Sequence, residues 1–278
     1  MSDGVLDIEG IEINLLLEAI FQRYGYDFRD YARASVERRL AQFLADSGCG
    51  TFSEVTARVL REPQFFHQVV PYFSISVTSL FRDPFIYLAL REKVVPLLRT
   101  WPHFKVWHAG CATGEEVYSM AIMLREEGIF ERARLYATDI SQPALETGKT
   151  GIYPLDILKK GSAAYQKAGG RGSLSDHYHA RYEAAVMDAA FARQITFARH
   201  NLAMDKSFGE MQMIVCRNVL IYFNQDLQNL VLQLFLESLD HGGFLCLGDK
   251  ETLTFSSVAD SFVAVDEKAR IYKKRVRR

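Results

Sequence analysis

Residues Val106-Trp107-His108-Ala109-Gly110-Cys111-Ala112-Thr113-Gly114-Glu115-Glu116 bring together the types needed to hold a small charged ligand. An apolar, β-prone run ends in a small-residue loop bracketed by two glycines. A helical apolar pattern (Val117, Tyr118, Ala121, Ile122, Leu124) follows directly. Strand, tight loop and helix in that order is how open α/β proteins hold nucleotide-like ligands at the carboxyl end of a strand. Glycine lets the backbone turn sharply and come close to a ligand. The two acids bear on which ligand. Carboxylates would repel a pyrophosphate, which wants bare N–H groups at a helix start. They would hold a cationic amino group and a sulfonium, so the loop reads as a site for S-adenosylmethionine rather than NAD or ATP. Gly-x-x-x-Gly is not the dinucleotide fingerprint, and such a loop can serve merely to join a strand to a helix.

Three further features end predicted strands. Asp139, followed by Ile140 and Ser141, stands where an acid accepts hydrogen bonds from both ribose hydroxyls; Asp139 or Ser141 could instead only cap the next helix. Asn201-Leu202 offers an amide with the donor and acceptor that an adenine edge requires, although asparagine is also a common turn former. Cys216-Arg217-Asn218-Val219 ends a fourth strand beside the first. Their shared position, at the carboxyl ends of successive strands, is more telling than any one of them.

The elements that must position these residues follow from the rest of the chain. Its 278 residues, 49% hydrophobic and 24% charged, make one large domain or an ordinary one with a small companion. A net charge of −1 gives no global attraction to nucleic acid or anionic lipid, and no apolar run is long enough to cross a bilayer. Cys49, Cys111, Cys216 and Cys246 lack metal-site spacing and suggest no disulfide framework, so a reducing, cytoplasmic compartment is expected. His177 and His179 have strand spacing without a ligand set and read as a solvated loop.

Up to about Phe81 the pattern is helical. Leu15, Leu16, Ala19 and Ile20 make one apolar stripe, and Val36, Leu40, Phe43 and Leu44 another. Thr51 or Ser53 caps the helix after that. Arg33, Arg38 and Arg39 make either a solvated face or a basic docking surface for an acidic partner helix. Beyond Pro84 strands alternate with helices. The strand candidates are 105–109, 135–138, 195–198, 213–216 and 244–247, which imply a mostly parallel sheet with helices on both faces. The runs 262–265 and 269–273 read as an antiparallel hairpin at its edge. Residues 153–194, with Gly169-Gly170-Arg171-Gly172 and an alternating run Tyr178 to Val186, read as an inserted subdomain of the kind that meets partners.

The chain resembles the chemotaxis receptor methyltransferases of the CheR type. The resemblance rests on Val77-Thr78-Ser79-Leu80-Phe81-Arg82-Asp83-Pro84, Trp107 through Tyr118-Ser119, Ala137-Thr138-Asp139-Ile140-Ser141, and Cys216-Arg217-Asn218-Val219-Leu220-Ile221-Tyr222-Phe223. It implies an α/β class I methyltransferase fold, Rossmann-like with a mostly parallel seven-stranded sheet, and a small all-α N-terminal domain. Residues 1–82 would be the helical domain and linker, and 83–278 the S-adenosylmethionine-binding domain. The implied reaction is methyl-ester formation on glutamate side chains of receptor signalling helices, with S-adenosylhomocysteine as product and no metal. By matching motif, Ser76, Thr78 and Arg82 would approach the cofactor. Glu115 would take its amino group, Asp139 the ribose, and Asn201 with Leu202 the adenine. Cys216, Arg217 and Asn218 would border the methionine portion, while Arg82 and Tyr222 would face the reacting glutamate. Ser76 stands where many members have asparagine, and Ala112 removes a hydroxyl that many carry in the loop. A small-molecule methyltransferase would share the cofactor site without needing the helical domain; a catalytically silent scaffold would not need Arg82 and Tyr222. The implied partners are chemoreceptor cytoplasmic helices, met through Arg33, Arg38, Arg39 and the 153–194 insert.

Overall fold

The computed structural model describes residues 7–73 and 78–276. They form two compact units, residues 7–73 with Ile221–Gln228 and residues 78–220 with 229–276. Ser76, a candidate cofactor contact, lies outside the described residues.

The first unit is helical. Helix α1 (Ile8–Tyr24) starts where the Asp7 carboxylate accepts the Gly10 N–H at 2.8 Å, and it stops at Gly25, φ 71°. Helix α2 (Arg33–Ser47) ends at left-handed Gly48, and the Thr51 side chain caps α3 (Phe52–Arg61); α4 is Pro63–Phe73. The core takes Ile13, Leu16, Leu17 and Ile20 from α1, with Val36, Leu40, Phe43, Val55 and Val59. Leu15, expected on the stripe, is 59% exposed. The buried set 13, 16, 17, 20 already completes a helical face, and Leu15 falls outside it. Arg39 also departs from expectation. It is buried, donates to the Phe73 carbonyl at 2.6 Å and lies 4.4 Å over the Tyr222 ring, so it belongs to no basic docking surface. Arg33 pairs with Glu37 and Asn14, while Arg38 is exposed.

The second unit opens with a continuous helical segment: α5 (Pro84–Ala89), a π turn (Leu90–Val94) and α6 (Val95–Leu98). Then come β1 (Phe104–Ala109), α7 (Glu115–Glu126), β2 (Ala133–Asp139), α8 (Gln142–Thr150), β3 (Ile152–Pro154) and α9 (Leu155–Lys167). After these lie β4 (Tyr178–Arg181), β5 (Ala184–Met187), β6 (Ile195–Arg199) and β7 (Met211–Cys216). The chain continues through α10 (Gln225–Ser238), β8 (Leu239–Leu247), β9 (Phe262–Asp266) and β10 (Ile271–Lys274). The seven-stranded sheet runs β6-β2-β1-β7-β8-β10-β9. Pairing is parallel from β6 to β8, and the β9–β10 hairpin closes the edge antiparallel. With β1 an interior strand between β2 and β7, and Val106 and Trp107 fully buried, this is a class I methyltransferase sheet with helices packed against it.

The insert forms its own antiparallel sheet, β3-β5-β4, beside α9. The alternating run is a hairpin rather than one strand, because the chain reverses at Tyr182, φ 57°. His177, expected in a solvated loop, is buried. It meets the Arg125 guanidinium and lies beside Glu126, and burial followed by the Arg125 charge holds its pKa down.

Candidate cofactor and active site

β1 delivers Gly110, whose φ of 76° only glycine adopts without strain. A Cβ there would lie 2.4 Å from Val219 Cγ2, so the loops after β1 and β7 are in direct contact. The Gly110 and Cys111 N–H groups donate to the Thr138 carbonyl at 2.8 and 2.9 Å, tying that loop to β2. Asp139 finishes the tie: its Oδ2 accepts the Ala112 N–H at 2.8 Å and its Oδ1 the Ser141 N–H at 2.9 Å. Ser141, not Asp139, caps α8. Burial pushes the Asp139 pKa up, against the pull of the Ser141, Ala112 and Ile140 N–H groups. Each Asp139 oxygen keeps a second lone pair, so the carboxylate can accept from a diol as well.

Glu115 is the first residue of α7 and is 4% exposed. Its Oε2 accepts the Thr113 hydroxyl at 2.6 Å, and no cation is within ion-pair distance of it among the described residues. Burial raises its pKa, opposed by the Thr113 hydroxyl and its own backbone N–H. Glu116 has the opposite fate. Arg217 Nη1 meets its Oε2 at 2.5 Å, and Arg217 Nη2 meets Asp83 Oδ2 at 2.5 Å. Burial is the largest single influence on each and opposes its charge, but Arg217 together with the neighbouring His108 lowers the Glu116 pKa, and Glu116, with further help from Tyr87, Cys246 and Asp83, raises that of Arg217. Only one of the two loop acids is therefore left for a cationic ligand, contrary to the pairing expected from sequence. Adjacent helical residues point about 100° apart, which goes with the different partners of the two carboxylates, Thr113 for Glu115 and Arg217 for Glu116.

Thr78 is half-buried, and Arg82 precedes α5 with its side chain 38% exposed. Phe81 (φ 52°) and Asp83 (φ 55°) on either side of Arg82 are both left-handed. The Phe81 N–H donates to Ser119 Oγ at 2.9 Å, and Asp83 is held by Arg217. Asn201 and Leu202 follow β6 and are buried. The Asn201 Oδ1 accepts the Ala203 N–H at 3.0 Å, closing a turn, and this leaves its amide NH2 as donor. Cys216 ends β7 with its thiol pKa pushed up by burial; Asn218, φ 60°, has a buried Oδ1 without a hydrogen-bond partner among the described residues. Glu115, Asp139, Cys216, Arg217 and Asn218 thus gather at the carboxyl ends of β1, β2 and β7, with Asn201 and Leu202 beyond the end of β6. Tyr222 belongs to the helical unit, where its carbonyl accepts the Ala32 N–H at 2.8 Å. Asp83 and Ser119 were not singled out as site residues from sequence, although each lies inside a stretch that carries the family resemblance.

Fold and site together define a class I S-adenosylmethionine-binding protein. The family described as "CheR methyltransferase, SAM binding domain" matches residues 76–270, and "CheR methyltransferase, all-alpha domain" matches residues 11–73. The chain belongs to the CheR methyltransferase family. It is 51% identical over 264 residues to a Pseudomonas putida protein named "Putative methyltransferase Cher3", covering 95% of this chain and 97% of that one. It is 30% identical to a "Chemotaxis protein methyltransferase" of Vibrio anguillarum (87% and 88% covered) and 28% identical to one of Listeria monocytogenes (82% and 85%). S-adenosylmethionine is the cofactor, and the residues present fit it. A buried carboxylate without a cation, Glu115, suits its ammonium; Asp139 suits the ribose diol; and the unpartnered Asn218 acceptor suits a donor. No helix of the described residues is long and apolar enough to cross a membrane.

Proposed function

We propose that the protein methylates glutamate side chains of chemotaxis receptor helices in signal adaptation. The observation that carries this reading is Arg82, a partly exposed guanidinium between two anchored left-handed neighbours. Asp83 lies 4.0 Å from its Nε, but Asp83 is already engaged by Arg217 at 2.5 Å, so Arg82 remains open to another anion. S-adenosylmethionine supplies a methyl group activated on a sulfonium.

A glutamate is already an anion at pH 7, so no residue need act as general base. Arg82 grips one oxygen of the incoming carboxylate and leaves the other free to attack; its charge offsets the cost of stripping water from the anion. Holding two reactants in line can supply roughly 7–11 kcal/mol. Tyr222 is proposed as a second substrate contact. The exposed Arg38, with Arg33 and the small β3-β5-β4 sheet, is proposed to meet the receptor, in the cytoplasm.

The test is transfer of a radiolabelled methyl group to a purified receptor cytoplasmic fragment. Base-labile label on the fragment is the expected result. Label confined to small metabolites would instead favour a small-molecule enzyme, and no transfer at all a silent scaffold. Arg82→Ala should lower turnover by roughly a hundredfold, the size of a lost charged transition-state contact, with a smaller effect on S-adenosylhomocysteine affinity. Arg82→Lys should also be impaired, because an ammonium lacks the planar fork. Equal losses of turnover and affinity would make Arg82 a cofactor contact.

A further inference from the structure

Glu251 lies just past β8 and outside every motif discussed above. It is 4% exposed, and its carboxylate gathers backbone donors from two loops. Oε1 accepts the Val219 and Leu220 N–H groups, both at 2.8 Å. Oε2 accepts the Asn218 N–H at 3.1 Å and the Gly248 N–H at 2.6 Å. Three of these donors are consecutive residues of the loop after β7. The left-handed conformation of Asn218 goes with that convergence, which makes an anion-binding concavity filled by a side chain of the same protein. A Cβ at Gly248 would lie 2.8 Å from Glu251 Oε2 and 2.9 Å from the Asn218 nitrogen, so the approach is close enough to need glycine. Arg217 is pinned at its tip by Glu116 and Asp83, but those ion pairs do not constrain the backbone of 218–220. Glu251 does.

We propose that Glu251 is a positioning residue of the cofactor site: it holds the loop after β7 in the conformation that places Arg217 and the Asn218 amide. This rests on reading that loop as a wall of the S-adenosylmethionine site. Glu251→Gln keeps the shape but turns an NH2 towards one pair of N–H donors, so those bonds are lost and the donors are left unpaired. The full chain would be compared with Glu251→Gln and with Val231→Ala, which truncates a fully buried side chain of α10 that makes no hydrogen bond to the loop. The readouts are thermal midpoint, calorimetric affinity for S-adenosylhomocysteine, and amide exchange at 218–220.

The expected result is a folded Glu251→Gln protein with about tenfold or greater loss of affinity and faster exchange at 218–220. Val231→Ala should lower the midpoint and leave affinity unchanged. A folded Glu251→Gln protein with affinity within about twofold of wild type and unchanged exchange would overturn the proposal. If Glu251→Gln does not fold, Glu251→Asp, one methylene too short to reach all four donors, is read by the same criteria. Wild-type protein that fails to bind S-adenosylhomocysteine would sink the cofactor reading instead, and the exchange comparison would still decide whether Glu251 holds the loop.

Discussion

Glu115 and Glu116 are neighbours in sequence and burial pushes the pKa of both up, yet their net shifts are opposite. Arg217 neutralises Glu116, whereas Glu115 is left as a desolvated carboxylate whose pKa is raised above 4.5. The folded protein therefore binds a proton at Glu115 more tightly than the unfolded chain does. The resulting destabilisation grows as pH rises from the ordinary carboxylate value through the raised one, and is complete above it. An ammonium reverses that preference by favouring the ionised form. S-adenosylhomocysteine binding should accordingly release protons as pH is lowered towards the raised Glu115 value, seen by calorimetry in buffers of different ionisation enthalpy. Glu115→Gln should abolish this release and leave the ligand-free protein at least as stable near pH 7. A destabilised Glu115→Gln protein, or wild type with no proton release, would contradict the argument. Asp139 is legible in sequence as a candidate because it ends a strand, and Glu115 because it opens the helix after the β1 loop. Glu116's engagement is not, since its partner Arg217 lies 101 residues away and Arg217's other partner, Asp83, lies 134 away. Glu251 escapes for the same reason: its donors are brought to it only when β7 and β8 pair.

At the scale of elements, the β1–α7 loop works because two loops touch. Gly110→Ala would force a Cβ against Val219 and place alanine at φ 76°. The expected cost is about 1–3 kcal/mol in urea unfolding, part of it steric and part conformational. Adding Val219→Ala should recover the steric part only. A single-variant cost below about 0.5 kcal/mol, within the range of neutral surface changes, would mean the loops yield more easily than their contact implies. The parallel strands were legible from their β-prone runs, and so was the terminal hairpin. The β4–β5 hairpin was not, because its turn at Tyr182-Glu183 uses none of the usual glycine or asparagine signals. Leu15 and Arg39 mislead for a related reason: helical spacing says which residues share a face, but not which face the rest of the unit covers.

Over the whole molecule, the strand order puts β1 between β2 and β7, so three chain segments far apart in sequence end at one sheet edge. We propose that the cofactor binds at that edge whichever acceptor is methylated, and the claim that Glu115 and Asp139 hold the nucleoside there underlies every other. The direct measurement is a crystal structure of the protein with S-adenosylhomocysteine. The account predicts the homocysteine ammonium against the Glu115 carboxylate, the ribose hydroxyls on Asp139, and the adenine beside Asn201 and Leu202. A nucleoside bound elsewhere, or an ammonium that leaves Glu115 without a partner, would contradict it.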